Sequence, residues 1–304
     1  MIDNRDDELA ELLAEVRRIE VQSSRLVTGT LAGGYTSVFR GAGIEFDEVR
    51  EYVEGDDPRT IDWNVSARMG RPYVKKFVDE RELTLTFALD VSASMSGGFG
   101  VWSARQMAAR VCACLALSAV RNKDKVGLIA FSDRVHCYVP PAKGLRHALR
   151  IVRDCLALPS VETTASFGTA LEFAAHVQRR RGVLFLVSDF LTSGWQRAVT
   201  AGARRADLIA IRLLPPELSA PAAGLLRLRD PESGRAVVVD WQSKAVRAEY
   251  NDRVARWRKQ GADALRRAQV DLMDVPLPLA PDKDAIARPL LTFFRMRELR
   301  GAKR

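Results

Sequence analysis

Long apolar runs are scarce in this chain of 304 residues. The apolar stretch from Val111 to Val120 has about half the length a bilayer crossing needs, so no membrane insertion is expected. Histidine is scarcer still. His136, His147 and His176 are the only three, none adjoins a Ser or Cys in a nucleophile elbow, and each is expected on the surface or on a helix. The four cysteines, Cys112, Cys114, Cys137 and Cys155, form neither a CxxC pair nor a ligand cluster with histidine, and read as small core residues. No phosphate-binding glycine loop is present, because GGFG at 97 to 100 lacks both the GxGxxG spacing and the following Lys of a Walker loop. A secretory leader needs a basic start, an apolar run and a small-residue cleavage site. The opening MIDNRDDELAELLAEV is acidic and helix-forming instead, and a cytoplasmic location is expected.

What is present is an ordinary globular composition. A hydrophobic share of 47% can bury one sizeable core or two modest ones, and 28% of the residues are charged. The net charge of +9 would suit an acidic partner. However, the basic runs QRRRG (178 to 182) and ARRAD (203 to 207) carry no aromatics on which bases could stack. A solvated basic surface is therefore the preferred reading, and nucleic acid is not an expected partner.

Leu9, Leu12, Leu13, Val16 and Ile19 recur at helical spacing and predict an amphipathic helix over 6 to 20. A Gly-rich link (LAGGY, 31 to 35) leads into a densely charged segment with the large apolar residues Phe39, Phe46, Tyr52 and Trp63. These anchors suit either a partner-facing module or an accessory β-rich layer. In the second case Arg40, Glu45, Arg50, Asp57, Arg59, Asp62 and Arg68 pair internally, which is the preferred reading for most of them. Asp57 followed by Pro58 is a good N-cap and first-turn pair, predicting a short helix over 59 to 68. From 82 onward strands alternate with helices, which predicts a mostly parallel sheet covered on both faces. The strands are 83 to 91, 125 to 131, 182 to 190, 207 to 214 and VDLMDVPL, with a return over 135 to 139 and a hairpin formed by LLRLRD and AVVVDW. The helices are expected over 102 to 121, 145 to 158, 168 to 181, 195 to 206, 243 to 268 and 285 to 300. The expected division is 1–28 as an N-terminal helix, 29–81 as a charged accessory segment, and 82–304 as the α/β domain with its C-terminal helix.

DVSASM (90 to 95) stands where a central strand gives way to a loop before a helix, the place where open α/β sheets bind ligands. In an extended, turning loop the oxygens of Asp90, Ser92 and Ser94 fall on one side and can converge on one hard cation such as magnesium. Asp189, ending the apolar run in LVSDF, would supply a second charge directly or through water and leave one coordination position open. Such a cation stays electrophilic and can accept a carboxylate from another molecule. The plainer alternative is that Asp90 ends a strand while Ser92 or Ser94 caps the next helix, and a bare DxSxS serves either role. Strand-end placement and the second strand-end aspartate favour the cation.

DxSxS with a distal Asp resembles the metal-ion-dependent adhesion site of von Willebrand factor A domains. FRGAGIEFDEVREYVEGDDPRTIDWNVSAR (39 to 68), VKKFVDERE, DVSASM, LVSDF and the C-terminal ARPLLTFFRMREL together resemble one branch of them, the domain-of-unknown-function family 58. The resemblance implies a Rossmann-like, mostly parallel sheet with helices on both faces, plus an N-terminal helix and a charged β-rich extension. It further implies Mg2+ (or Mn2+) and a non-catalytic adaptor that works with a MoxR-type AAA+ ATPase on client proteins. The chain departs from the family at one loop, which usually reads like TDLxxAL and donates a threonine. Here the stretch is ASFGTAL (165 to 171), with Ala165 at the threonine place and Ser166 at the aspartate place. Thr163, Thr164 or Ser166 could substitute, and Thr164 is carried as a metal ligand. The competing enzyme reading is a metal-dependent phosphohydrolase with a strand-end aspartate nucleophile. That chemistry needs a second carboxylate two residues on, where this chain has Ser92, and a hydroxyl cannot serve as its general acid.

Overall fold

A computed structural model describes residues 3–29, 35, 45–78, 82–159, 161, 163–178, 182–221, 224–282 and 284–301. Helix α1 (Asp3–Gly29) opens the chain, followed by β1 (Glu45–Glu51), α2 (Trp63–Met69) and β2 (Tyr73–Val78). Next come β3 (Thr84–Asp90), α3 (Ala104–Arg121), β4 (Lys125–Phe131), β5 (Val135–Ala142), α4 (Leu145–Ala157) and α5 (Phe167–Val177). After them are β6 (Val183–Ser188), α6 (Gln196–Ala203), β7 (Asp207–Leu214), β8 (Leu225–Arg229) and β9 (Ala236–Asp240). Helix α7 (Lys244–Arg267), β10 (Asp271–Pro276) and α8 (Ala287–Gly301) complete it.

Six strands form one sheet in the order β10-β7-β6-β3-β4-β5, parallel throughout except that β5 runs antiparallel to β4 at one edge. From β3 the chain winds outward through β4 and β5, then returns to the other side of β3 to lay down β6, β7 and β10. The winding direction therefore reverses between β3 and β6. Their carboxyl ends flank the crevice that such a reversal opens. β3, β4, β6 and β7 are buried along nearly their whole length, which is why they read as continuous apolar runs. Alternation along β3 sends Leu85, Phe87 and Leu89 into the core shared with α1, α3, α4 and α8, and Ala88 into the core shared with α5, α6 and α7. Phe87 stacks on Phe185 of β6 with ring centroids 5.5 Å apart. Helix α3 is buried nearly all round and starts with a capping box between Ser103 and Gln106.

Helix α1 runs beyond the predicted end at 20, and its buried stripe is Val16, Ile19, Ser23 and Val27. Leu13 is exposed rather than part of that face, and the side chains of Leu9 and Leu12 lie outside the described residues. The basic C-terminal helix packs back on the sheet through Leu290, Phe293 and Phe294. Arg297 pairs there with Asp207 and Asp271.

The charged segment departs from expectation in two places. Pro58–Thr60 makes a single 3-10 turn, and the helix starts later, because Ile61 bridges to Val74 and holds that residue extended. Asp62, not Asp57, is the N-cap, with Oδ1 accepting from the Asn64 and Val65 N–H groups at 3.0 and 3.3 Å. Trp63 is not a core anchor, since 71% of it is exposed. Internal pairing holds for Arg50, whose guanidinium makes two bonds to Asp56 at 2.7 and 2.8 Å. Phe39 and Arg40 lie outside the described residues. His136 sits on β5, part-buried against the Ser132 hydroxyl at 2.7 Å, and not on a helix or an open surface.

Candidate functional site

The tips of β3 and β6 bring Asp90, Ser92, Ser94 and Asp189 together. Asp90 is the last residue of β3 and is 1% exposed; Asp189 follows β6 directly and is 3% exposed. The turn after β3 folds back so that the Ser92 N–H donates to Asp90 Oδ1 at 2.9 Å. The Ser92 and Ser94 hydroxyls lie 3.3 Å apart, and Ser94 faces the Asp189 carboxylate. Ser188, which the sequence reasoning passed over inside an apolar run, donates its hydroxyl to Asp90 Oδ2 at 2.6 Å and accepts from the Phe190 N–H at 3.0 Å. Phe190 is left-handed at φ +59°, a strained position for a bulky residue, with its buried ring edge-on to Phe167 and Trp195. That turn lets the Leu191 N–H reach Asp189 Oδ1 at 3.0 Å.

Burial pushes the Asp90 carboxyl up to about 6; the Ser188 hydroxyl partly offsets this and the neighbouring Asp189 charge adds to it. Burial raises Asp189 as well. Among the described residues no Lys, Arg or His forms an ion pair with either aspartate. Buried Arg105, on the first turn of α3, feels the Asp90 charge without forming an ion pair with it and donates to the Val91 carbonyl at 3.3 Å and to that of Leu158. It ties the loop after β3 to the segment that enters the next site loop.

That next loop is held by backbone. Val161 N–H donates to Val91 O at 3.1 Å, and Ser166 N–H to Ser132 O at 2.8 Å. Ala165, expected at the threonine place, is buried in the core with Phe167 and has no side-chain oxygen to offer. Thr163 is turned to Ser132 Oγ at 2.8 Å and to Asp133 Oδ1 at 3.2 Å, and Ser166 caps α5. Thr164 lies near Glu232 of the turn between β8 and β9. The Glu232 carboxylate faces the hydroxyls of Thr164 and Ser94 and the charge of Asp189, and burial pushes its pKa up. Sequence reasoning missed this residue, since nothing in PESG (231 to 234) says where the hairpin tip lands.

Among the described residues no three His, Cys, Asp or Glu side chains form a metal-binding group. The donor set is two carboxylates and two serine hydroxyls, all hard oxygens. Two carboxylates buried close together, neither in an ion pair among the described residues, suit a small divalent ion.

A mostly parallel sheet with one antiparallel edge strand, and a strand-tip Asp-x-Ser-x-Ser facing a second aspartate across the crevice, define an α/β domain of the von Willebrand factor A type. Residues 48–260 match the family described as "Protein of unknown function DUF58", and the chain belongs to that family. It is 29% identical over 283 residues to the "Uncharacterized protein Rv1480" of Mycobacterium tuberculosis, covering 91% of this chain and 87% of that one. Among solved structures it resembles "conserved hypothetical protein BatB" from Bacteroides thetaiotaomicron, at 14% identity and a TM-score of 0.45 over 71% of this chain and 98% of that one. It also resembles the SpRpn10 VWA domain, at 12% identity and a TM-score of 0.37 over 68% and 95%. Among the described residues no helix is long and apolar enough to cross a membrane.

Proposed function

We propose that this chain is a non-catalytic adaptor that docks a partner protein through a divalent cation, Mg2+ or Mn2+, held by Asp90, Ser92, Ser94 and Asp189. The observation that carries this reading is the pair of buried, unpaired carboxylates on adjacent strand tips. In a low-dielectric crevice two such groups repel, and a doubly charged ion relieves both desolvation and repulsion. Bound there, the ion would supply an electrophilic centre able to accept a carboxylate from a partner. The protein's own part is to fix the donors: Ser188 and the Ser92 N–H orient Asp90, and the Leu191 N–H orients Asp189. Thr164, in the loop before α5, is assigned as a further hydroxyl donor to the ion.

The phosphohydrolase alternative is disfavoured because Ser92 stands where a second carboxylate would have to act. The proposed partner is a MoxR-type AAA+ ATPase in the cytoplasm, with this chain presenting a client to it. Exposed Trp63, Met69 and Val53 on the N-terminal segment offer apolar contact area. Isothermal titration with Mg2+ or Mn2+ tests the cation: heat is expected for the wild type and none for Asp90→Ala, and equal heats remove the proposal. A pull-down that recovers no such ATPase with or without Mg2+ removes the partner.

A further inference from the structure

Strand β10 is one edge of the six-stranded sheet, with β7 on one side and no strand on the other among the described residues. The Leu277 N–H donates to Leu214 O at 2.9 Å. Main-chain groups along a strand point to its two sides in turn, so Val275 and Met273 are bonded to β7 as well. The N–H and C=O groups of Leu272 and Asp274 are then turned outward. Pro276, next in that series, has no N–H and ends the row.

A groove of about 470 Å3 runs along this edge. Side chains from both faces of β10 line it. Leu272 and Asp274 lie on the side of α7, where Asp274 pairs with Arg258, and Met273 packs in the core shared with α8. A cavity that touches both faces of one strand lies beside its edge and not beneath the sheet. The far wall is a stripe of α8 made by Pro289, Phe293 and Met296. Helix α8 runs back along the strand, since Arg300 near its end pairs with Asp271 at the start of β10. The six residues of β10 span about 20 Å, which is the length of extended chain the groove can take. A row of outward main-chain groups facing an apolar wall suits strand addition: hydrogen bonds hold the incoming backbone, and alternate side chains enter the wall.

Charge on the rim selects the occupant. The Arg300 side chain is 63% exposed and its partner Asp271 only 15%, and Arg288 and Arg258 likewise stand further out than Asp282 and Asp274, with which they pair. The outermost charge is therefore positive at both ends of the groove and at its middle. A second copy of this edge would set arginine against arginine, whereas an acidic chain is drawn in.

We infer that the groove docks an extended segment of a partner protein, which joins the sheet as a strand beside β10, turns apolar side chains to Phe293 and Met296, and carries acidic residues at its ends. The site is separated from the tips of β3 and β6 by β7 and needs no cation.

Short peptides selected from a random displayed library against the whole chain, then synthesised and measured by fluorescence polarisation, test this. The peptides recovered are expected to alternate apolar and polar residues between acidic ends, and to slow amide exchange at Leu272 and Asp274 when bound. Leu272→Pro removes an outward N–H and spares the bonds to β7, and is expected to weaken binding on the order of tenfold. Arg288→Glu should weaken the same peptides, more at low salt than at high. Should Leu272→Pro fail to fold, Thr292→Trp, at an exposed position on the α8 wall, is expected to block binding in its place. A selection that yields no binder, or binders indifferent to Leu272→Pro and Thr292→Trp, overturns the proposal. So does a dimer in sedimentation that Leu272→Pro dissociates, which would give the edge to a second copy.

Discussion

Asp124, at the turn between α3 and β4, is buried and accepts from the Tyr35 hydroxyl at 2.7 Å and the Leu83 N–H at 2.9 Å. Burial raises its carboxyl, and the two donors pull part of the way back. A raised carboxylate binds more protons in the native than in the unfolded state. Its contribution to stability is therefore highest at pH below the ordinary carboxylate value and is lost as pH rises through the raised one. Tyr35→Phe removes a donor to the charged form. It is expected to cost about 1–3 kcal/mol in urea denaturation, with a larger deficit at neutral than at acid pH. An equal deficit at both would mean that the carboxylate is not what Tyr35 supports. At this same scale Asp90, Ser92, Ser94 and Asp189 were legible in the sequence, because an apolar run that stops at a carboxylate marks a strand tip. Ser188 was hidden by its apolar neighbours. Glu232 was hidden because a hairpin's local pattern fixes its turn but not what the turn rests upon. The place of Ala165 could be named from the sequence, but not that its methyl group would face the core.

Helix α1 reaches the body through an ion pair between Glu15 and Arg110 of α3. The Arg110 side chain is buried, donates to Gln106 O at 2.9 Å and lies 4.3 Å over the Trp102 ring. Removing its partner strands a buried charge, so Glu15→Ala is expected to cost about 3–5 kcal/mol in chemical denaturation. Adding Arg110→Met should restore most of that; a double variant as weak as the single one would show that the charge is not the cause. For α2, Asp62→Ala removes the N-cap and is expected to cost about 1 kcal/mol, whereas Asp57→Ala should leave the helix intact by circular dichroism. Asp57 followed by Pro58 marked the cap too early, because local preference cannot register the long-range bridge from Ile61 to Val74, which holds Ile61 extended and moves the helix start to Asp62. Periodicity placed the helices that cover the sheet well, since their apolar stripes face it, but ended α1 at 20, nine residues short of Gly29.

Across the whole molecule, alternating strands and helices made the parallel sheet legible, but the order of its strands was not, because connection direction leaves no mark in composition. That order decides where the site lies: the reversal between β3 and β6 sets two carboxylates from distant parts of the chain at one crevice. A ligand bound only by the native state raises the unfolding free energy by about 2.7 kcal/mol at a hundredfold excess over its dissociation constant. Mg2+ is therefore expected to raise the melting temperature of the wild type, reversibly with chelator, and to leave Asp90→Ala unmoved. A rise of equal size in that variant would place the ion elsewhere.

The outer flanks of the β8–β9 ribbon have no neighbouring strand among the described residues, and exposed Arg227 and Arg229 alternate along one of them. Unsatisfied main-chain groups of that kind invite another chain to zip alongside, and two positive side chains on the rim repel an identical copy. A ribbon flanked in this way would keep copies of the molecule apart, and exchanging both arginines for valine would turn that edge into a seed for clumping.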